Sequence, residues 1–299
     1  MSKVIRVYRH GGPEELRTED LEIGEPGAGE ARLRVEAIGL NRSEAAFRAG
    51  SYPVTPKFPT LIGYEGAGII EALGPGVEGF RIGERVCVLP NFRLGEYGIY
   101  GERAVVPVRS LLAPPPGLST VEAASSSVGL AAIQLANWSG AVPIAITRTS
   151  AKSAALKEHG AAHVIASDET DLVTAVHHVT GGKGARIVFD PVGGPDVEKL
   201  AQAAAEEGII IIYGGLSGEA TPYPHWPAAL KGLSLRGWVS SSIWNRPERF
   251  ARYRTLILQG LALGHLKPVI ARTFPLSQIV EAHRYLESNQ QVGKIVVTV

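Results

Sequence analysis

With 299 residues, 45% of them hydrophobic and 20% charged, the chain has the composition of a globular protein with material for two domains, not of a disordered or fibrous one. A formal net charge of +1 leaves no basic footprint for nucleic acid or an anionic membrane, and no apolar stretch approaches the ~20 residues of a transmembrane helix. The single cysteine, Cys87, excludes intramolecular disulfides and cysteine-rich zinc sites.

In chain order, the opening Met1-Ser2-Lys3-Val4-Ile5-Arg6-Val7 reads as a short strand and lacks a signal peptide's apolar region, so a cytoplasmic protein is expected. Residues 31–38 alternate apolar and polar, as a half-buried strand does, and 66–74 and 84–89 continue the series with turn signals between. Cys87 falls inside the last of these and reads as a core residue. Residues 1–118 therefore suggest a compact β-barrel. From about 125 the rhythm changes to alternating helix and strand, which implies a parallel sheet with helices packed on it. The expected order is helix 128–138, strand 142–147, helix 151–159, strand 163–165 and helix 170–180. A buried strand at 185–190, strands at 208–213 and 233–239 and a long helix over 247–263 follow. Beyond Gly264 β character returns. The closing strand, 293–299, completes the first domain in this reading, with the β/α domain inserted into it.

Ser125-Ser126-Ser127-Val128-Gly129-Leu130-Ala131-Ala132 looks like a helix start built to receive phosphate. Hydroxyls offer N-caps, Gly129 allows close backbone approach, and the unpaired N–H groups of the first turn attract an anion. About 20 residues on, where a carboxylate would select the ribose hydroxyls of NAD, stands Thr147-Arg148-Thr149-Ser150-Ala151-Lys152. Arg148 and Lys152 suit a 2′-phosphate instead, favouring NADP(H). Asp190-Pro191-Val192-Gly193-Gly194 and Tyr213-Gly214-Gly215-Leu216 fall at the C-terminal ends of strands, where open α/β sheets bind ligands. His159 and His163, and the adjacent His177 and His178, lack metal-ligand spacing on a common helical face and read as surface or packing residues.

These motifs resemble, nearly end to end, the zinc-independent quinone oxidoreductases of the medium-chain dehydrogenase/reductase superfamily. Ala37-Ile38-Gly39-Leu40-Asn41-Arg42-Ser43-Glu44 is similar to that family's asparagine-bearing loop, and Gly50-Ser51-Tyr52-Pro53 to its tyrosine turn. Ile62-Gly63-Tyr64-Glu65-Gly66-Ala67-Gly68 resembles its glycine-rich turn, the segment from Ser126 its cofactor helix, and Val292-Gly293-Lys294-Ile295 its closing strand. The resemblance implies an α/β fold: a GroES-like β-barrel catalytic domain (1–118 and 265–299) and a Rossmann-type doubly wound parallel sheet domain (119–264). It implies a homodimer acting on a small-molecule quinone or enone. By the same resemblance, Asn41 and Tyr52 flank the nicotinamide and polarise the substrate carbonyl. Ser127, Val128 and Gly129 lie at the pyrophosphate, Arg148 and Lys152 at the 2′-phosphate, Gly214, Gly215 and Leu216 at the nicotinamide, and Lys294 near the cofactor. Tyr64 stands where zinc-binding relatives carry histidine, and Asn41 near their cysteine, so no metal is expected.

One departure is large. Family members carry about 30 more residues between Ala124 and Ser125, including the first Rossmann strand, which enters the phosphate loop. Losing a central parallel strand exposes its two neighbours and leaves backbone groups unpaired. Either a neighbouring segment substitutes, or the cofactor site is impaired and the chain persists as a catalytically silent binding or structural dimer.

Overall fold

The computed structural model describes residues 1–115, 117–125 and 127–299. The chain begins with β1 (Ser2–Val7), β2 (Leu16–Leu21), β3 (Glu30–Gly39), α1 (Arg42–Ala49), β4 (Thr60–Leu61), β5 (Gly66–Leu73) and β6 (Arg85–Val88). It continues with β7 (Arg103–Pro107), β8 (Leu111–Leu112), α2 (Thr120–Ala123) and α3 (Val128–Trp138). The β/α portion runs β9 (Ile144–Thr147), α4 (Ser153–Glu158), β10 (His163–Ala166), α5 (Leu172–Val179), β11 (Ala185–Asp190), α6 (Val197–Ala203) and β12 (Ala204–Ile212). Next come α7 (His225–Lys231), β13 (Ser234–Gly237), α8 (Ser241–Trp244) and α9 (Pro247–Ala262), then β14 (Ile270–Pro275), α10 (Ile279–Glu287) and β15 (Lys294–Thr298).

Two compact units result. One comprises Met1–Ala131 and Leu258–Val299, the other Ala132–Ile257. Residues 119–131 and 258–264, assigned to the β/α domain by their sequence, thus belong with the first unit.

In the first unit the strict alternation of β3 sends Ala31, Leu33 and Val35 inward, while Arg32 and Arg34 stay in reach of water. β3 pairs antiparallel with β5, β7 and β15, and β15 lies parallel to β14, so the C-terminal strand closes the sheet begun near the N-terminus. Ile5, Leu33, Ile38, Phe47, Ile62, Ile70, Val86, Ile99 and Ile295 fill the core. Cys87 is buried on β6, and burial pushes its thiol up to about 12, which leaves it inert at neutral pH. The short α2, started by the Ser119–Glu122 capping box, sets Val121, Ala123 and Ala124 against Ala37, Ala67 and Val296. Gly39 makes that approach possible, because a Cβ there would stand 2.2 Å from the Ala124 carbonyl oxygen.

The second unit holds parallel β–α units, but its strands form two sheets. β10 pairs with β9 alone, and β11, β12 and β13 form a separate parallel sheet in that order. Between α2 and α3 the described residues form no strand, and no other described segment lies in a ladder with β9 or β11. The expectation of a buried strand at 185–190 is corrected accordingly. β11 forms over the expected residues, yet Ile187 is 64% and Phe189 40% exposed, and Ile146 on β9 is 46% exposed. A central parallel strand is buried by the strands beside it and the helices they carry over its faces, and among the described residues β9 and β11 each lack a strand on one side. What holds the sheets in one unit is a small cluster of Ile165, Leu172, Val176 and Ala203, with Ile144 of β9 and Ala185 of β11 packed against it. β12 also begins at Ala204, four positions before the strand read from the isoleucine run.

Candidate active site

Asn41 opens α1. Its backbone N–H donates to Glu44 Oε2 (2.7 Å), satisfying one orphan group of the helix start. Its carboxamide is hydrogen-bonded at both ends. Nδ2 donates to the Gly39 carbonyl (3.1 Å) and to Glu65 Oε2 (3.0 Å), while Lys294 Nζ donates to Oδ1 (2.8 Å). Lys294 Nζ also pairs with Glu65 Oε2 at 3.1 Å, and both side chains are buried. The structure therefore brings Asn41 and Lys294 into direct contact across 253 residues of sequence, with Glu65 as a third member the sequence reading did not assign to the site. The signal was present in the quoted Gly63-Tyr64-Glu65-Gly66 turn. Both hydrogens of the Asn41 carboxamide are donated within this cluster.

Behind this cluster lies a second polar chain. Glu44 is fully buried and accepts from the Tyr64 N–H (3.1 Å) and the Tyr100 hydroxyl (2.7 Å). Tyr100 in turn meets His283 Nε2 at 3.2 Å. Burial pushes the Glu44 carboxyl up to about 7, against the opposing pull of Tyr100, Asn41, Lys294 and Tyr64. Burial, helped by the Arg48 charge, lowers His283 to about 3, so the imidazole is neutral. Tyr64, at the position where zinc-binding relatives have histidine, bonds Ser43 through its hydroxyl. A phenol there and a carboxamide at Asn41 are poor zinc ligands. Among the described residues no group of three or more His, Cys, Asp or Glu side chains could hold a metal. Tyr52 is half-buried, packed edge-on to Phe47 at 6.5 Å, and burial raises its pKa.

The α3 helix starts at Val128, half-exposed, and a Cβ built on Gly129 meets nothing within 4 Å, so the space beside Gly129 is uncrowded. Ser127 accepts from the Ala131 N–H through its carbonyl, and Ser126 lies outside the described residues. In the second unit, Arg148 at the end of β9 is exposed and Lys152 half-buried in the first turn of the next helical segment. Although the loop itself has no carboxylate, Glu169 reaches in from beyond β10 and accepts from Ser150 N (2.8 Å) and Oγ (3.1 Å). That neighbour was invisible in the local sequence. The turns after β11 and β12 interlock: Asp190 accepts from Val192 N and Gly193 N, and Leu216 N donates to the Pro191 carbonyl (3.2 Å). Gly214 must be glycine, because a Cβ would stand 2.2 Å from that same carbonyl oxygen. Gly215 faces open space, and Leu216 is 58% exposed.

Comparison with known proteins decides the family. Residues 27–116 match the family model for the alcohol dehydrogenase GroES-like domain, and residues 127–259 that for zinc-binding dehydrogenase. The chain is 28% identical to a quinone oxidoreductase of Pseudomonas aeruginosa, over 99% of each protein. It superimposes on an Escherichia coli quinone oxidoreductase solved with NADPH with a TM-score of 0.89 at 26% identity, covering 99% of this chain and 100% of that one. The chain belongs to the quinone oxidoreductase-like branch of the medium-chain dehydrogenase/reductase superfamily. A 2-haloacrylate reductase of Burkholderia sp is 28% identical over 97% of both proteins, in an alignment of 332 residues. This member has 299 residues, so the relative carries residues for which the shorter chain has no counterpart.

Proposed function

We propose that the chain is an NADPH-dependent, zinc-independent oxidoreductase that reduces quinones or α,β-unsaturated carbonyl compounds. The observation that carries this reading is the buried Asn41–Lys294–Glu65 cluster, kept in a chain similar along its whole length to a quinone oxidoreductase solved with NADPH. The residues present fit the cofactor: the uncrowded N-terminus of α3 at Gly129 suits a pyrophosphate, and Gly214 and Gly215 suit close backbone approach. Bound NADPH supplies the hydride, and negative charge then develops on the substrate oxygen. The Tyr52 hydroxyl, kept protonated by its burial, donates a hydrogen bond to that oxygen. The raised pKa makes Tyr52 a poor acid, so the proton completing the reduction comes from water. Ser127, Val128 and Gly129 hold the pyrophosphate, while Gly214, Gly215 and Leu216 border the nicotinamide. The open edge strand β13 is where a homodimer would pair.

Calorimetric titration with NADPH and then NADH tests the reading. Micromolar NADPH binding with weaker NADH binding supports it, and quinone and enone turnover should follow. Binding of neither overturns it in favour of a catalytically silent member, the outcome that the two-sheet second unit makes conceivable.

Selectivity rests on Arg148 and Lys152. The Arg148→Ala/Lys152→Ala double variant should weaken NADPH at least about 30-fold, the loss of one to two charge-assisted hydrogen bonds, and leave NADH nearly unchanged. Equal losses for both nucleotides would remove the 2′-phosphate role. Glu169 opposes a phosphate at Ser150, so Glu169→Gln is expected to shift the preference further toward NADPH.

A further inference from the structure

We propose that Glu44, Tyr100 and His283 form a buried proton relay, in which protonating the Glu44 carboxyl moves the hydrogen of the neutral His283 ring from Nε2 to Nδ1. All three residues are buried in the first unit, and the relay is independent of any cofactor. Donor and acceptor roles along the chain dictate the coupling. Among the described residues, three groups hydrogen-bond the Glu44 carboxyl. The Asn41 and Tyr64 backbone N–H groups only donate, whereas the Tyr100 hydroxyl, at 2.7 Å, does either. A proton on Glu44 therefore has one acceptor, the Tyr100 oxygen. With Glu44 ionised, the single phenol hydrogen goes to the carboxylate. His283 Nε2, 3.2 Å away, then donates to the phenol oxygen, and Nδ1 is bare. With Glu44 protonated, the phenol hydrogen points at Nε2, which must be bare, and the ring hydrogen sits on Nδ1. Nδ1 is buried without a partner among the described residues, so no bond on that side pins the ring to either form. The hydrogens balance: a proton reaching Nδ1 releases the one on Nε2 to Tyr100, and the phenol passes its own to Glu44.

Burial raises the Glu44 carboxyl to about 7 and lowers His283 to about 3, so near neutral pH the carboxyl titrates while the ring stays neutral. Tyr64 and Tyr100 keep their hydrogens because burial raises both. The charges nearby are Lys294 of β15, paired with Glu65, and Arg48 of α1, paired with Glu287 of α10. Lys294 opposes protonation of the carboxyl, and Arg48 that of the ring.

Nitrogen NMR of the unmodified protein, labelled with [¹⁵N]histidine, tests the relay, because bare and hydrogen-bearing ring nitrogens resonate far apart. The His283 ring is assigned by its through-space contact with the Tyr100 ring, 5.7 Å away between centres. From about two pH units below the Glu44 midpoint to about two above it, the ring hydrogen should pass from Nδ1 to Nε2 near pH 7. One tautomer throughout would overturn the proposal. So would a ring that gains a second hydrogen in this range, since it would then titrate for itself. Tyr100→Phe removes the bridging hydroxyl and Glu44→Gln the titrating group, so in either variant the tautomer should no longer depend on pH. A switch surviving in either would place its trigger elsewhere and overturn the relay. Should neither variant fold, the carboxyl ¹³C shift of Glu44 in the unmodified protein takes their place: a midpoint shared with the His283 switch supports the relay, and separate midpoints overturn it.

Discussion

In urea, the second unit should unfold well before the first. All four tryptophans (Trp138, Trp226, Trp238 and Trp244) lie in Ala132–Ile257, so indole fluorescence reports that unit alone. Far-UV circular dichroism follows both units, so the part of its transition that fluorescence does not share reports the other. Among the described residues β9 and β11 each lack a ladder partner on one side, and the strand that would join them would contribute several hydrogen bonds at ~1 kcal/mol each. It would also cover Ile146, Ile187 and Phe189, each worth about 1.5–3 kcal/mol when fully buried. Because those side chains are already about half buried, the deficit is roughly 6 kcal/mol, which at a slope of about 2–3 kcal/mol per molar urea places the fluorescence midpoint about 2–3 M below the midpoint of the first unit. Amides along the free edges of β9 and β11 should also exchange with solvent by local opening, while those pairing β3 with β5 and β15 wait for global unfolding. Coincident fluorescence and dichroism transitions would mean that the two-sheet unit is no weaker than its neighbour, and the argument from unpaired edges would fall.

The same missing contacts explain what could and could not be read from the chain. β3, β5 and β15 were legible because each carries its own alternation or apolar run, and a strand's period does not depend on knowing its neighbours. β11 was placed correctly as a strand but wrongly as a buried one. Its Ile187, Val188 and Phe189 have the sequence of a central parallel strand, and exposure comes from what is not beside them. The domain boundary differs for a related reason. α2 reads as the approach to the β/α unit, but Gly39 lets Ala124 dock on β3 in the first one. The site was legible only where a motif named it. Asn41 and Lys294 came from separate motifs, and nothing local announced the bond joining them. Glu44, three residues beyond Asn41, closes the asparagine-bearing motif, and nothing in the sequence marks it as a buried carboxylate. Its burial is imposed by Tyr100, 56 residues on, and His283 beyond that, distances no periodicity spans.

That buried chain leads to the second large effect, on how the first unit's stability depends on pH. The Glu44 carboxyl is raised from its ordinary 4.5 to about 7, so the folded state holds a proton that the unfolded state has released. Its contribution to stability is full below pH 4.5 and is lost as pH rises through 7. His283 is lowered from 6.5 to about 3, so its contribution is full above 6.5 and is lost as pH falls through 3. Between about pH 4.5 and 6.5 the two slopes oppose each other: the unfolded chain carries the proton on His283, the folded chain carries it on Glu44, and the totals match. Tyr64, Tyr100 and Lys294 face Glu44, and Arg48 acts on His283; the tyrosines stay protonated throughout this window because their pKa values are raised. Removing either member should therefore uncover the other. Relative to the unmodified protein, His283→Gln should lose stability as pH rises from 4.5 to 6.5, and Glu44→Gln should lose it as pH falls over the same range. The difference approaches about 1.4 kcal/mol per pH unit in each case, the slope set by one proton. Both variants will also be less stable at every pH, since Asn41 N and Tyr64 N share Glu44 and Tyr100 bridges to His283, so it is the slope that carries the test. The dichroism midpoint of the first unit, followed from pH 4.5 to 6.5, measures it. Variant profiles parallel to that of the unmodified protein would show that the two groups do not exchange a proton between folded and unfolded states, and that the buried chain is a fixed scaffold for Asn41 with no part in proton linkage.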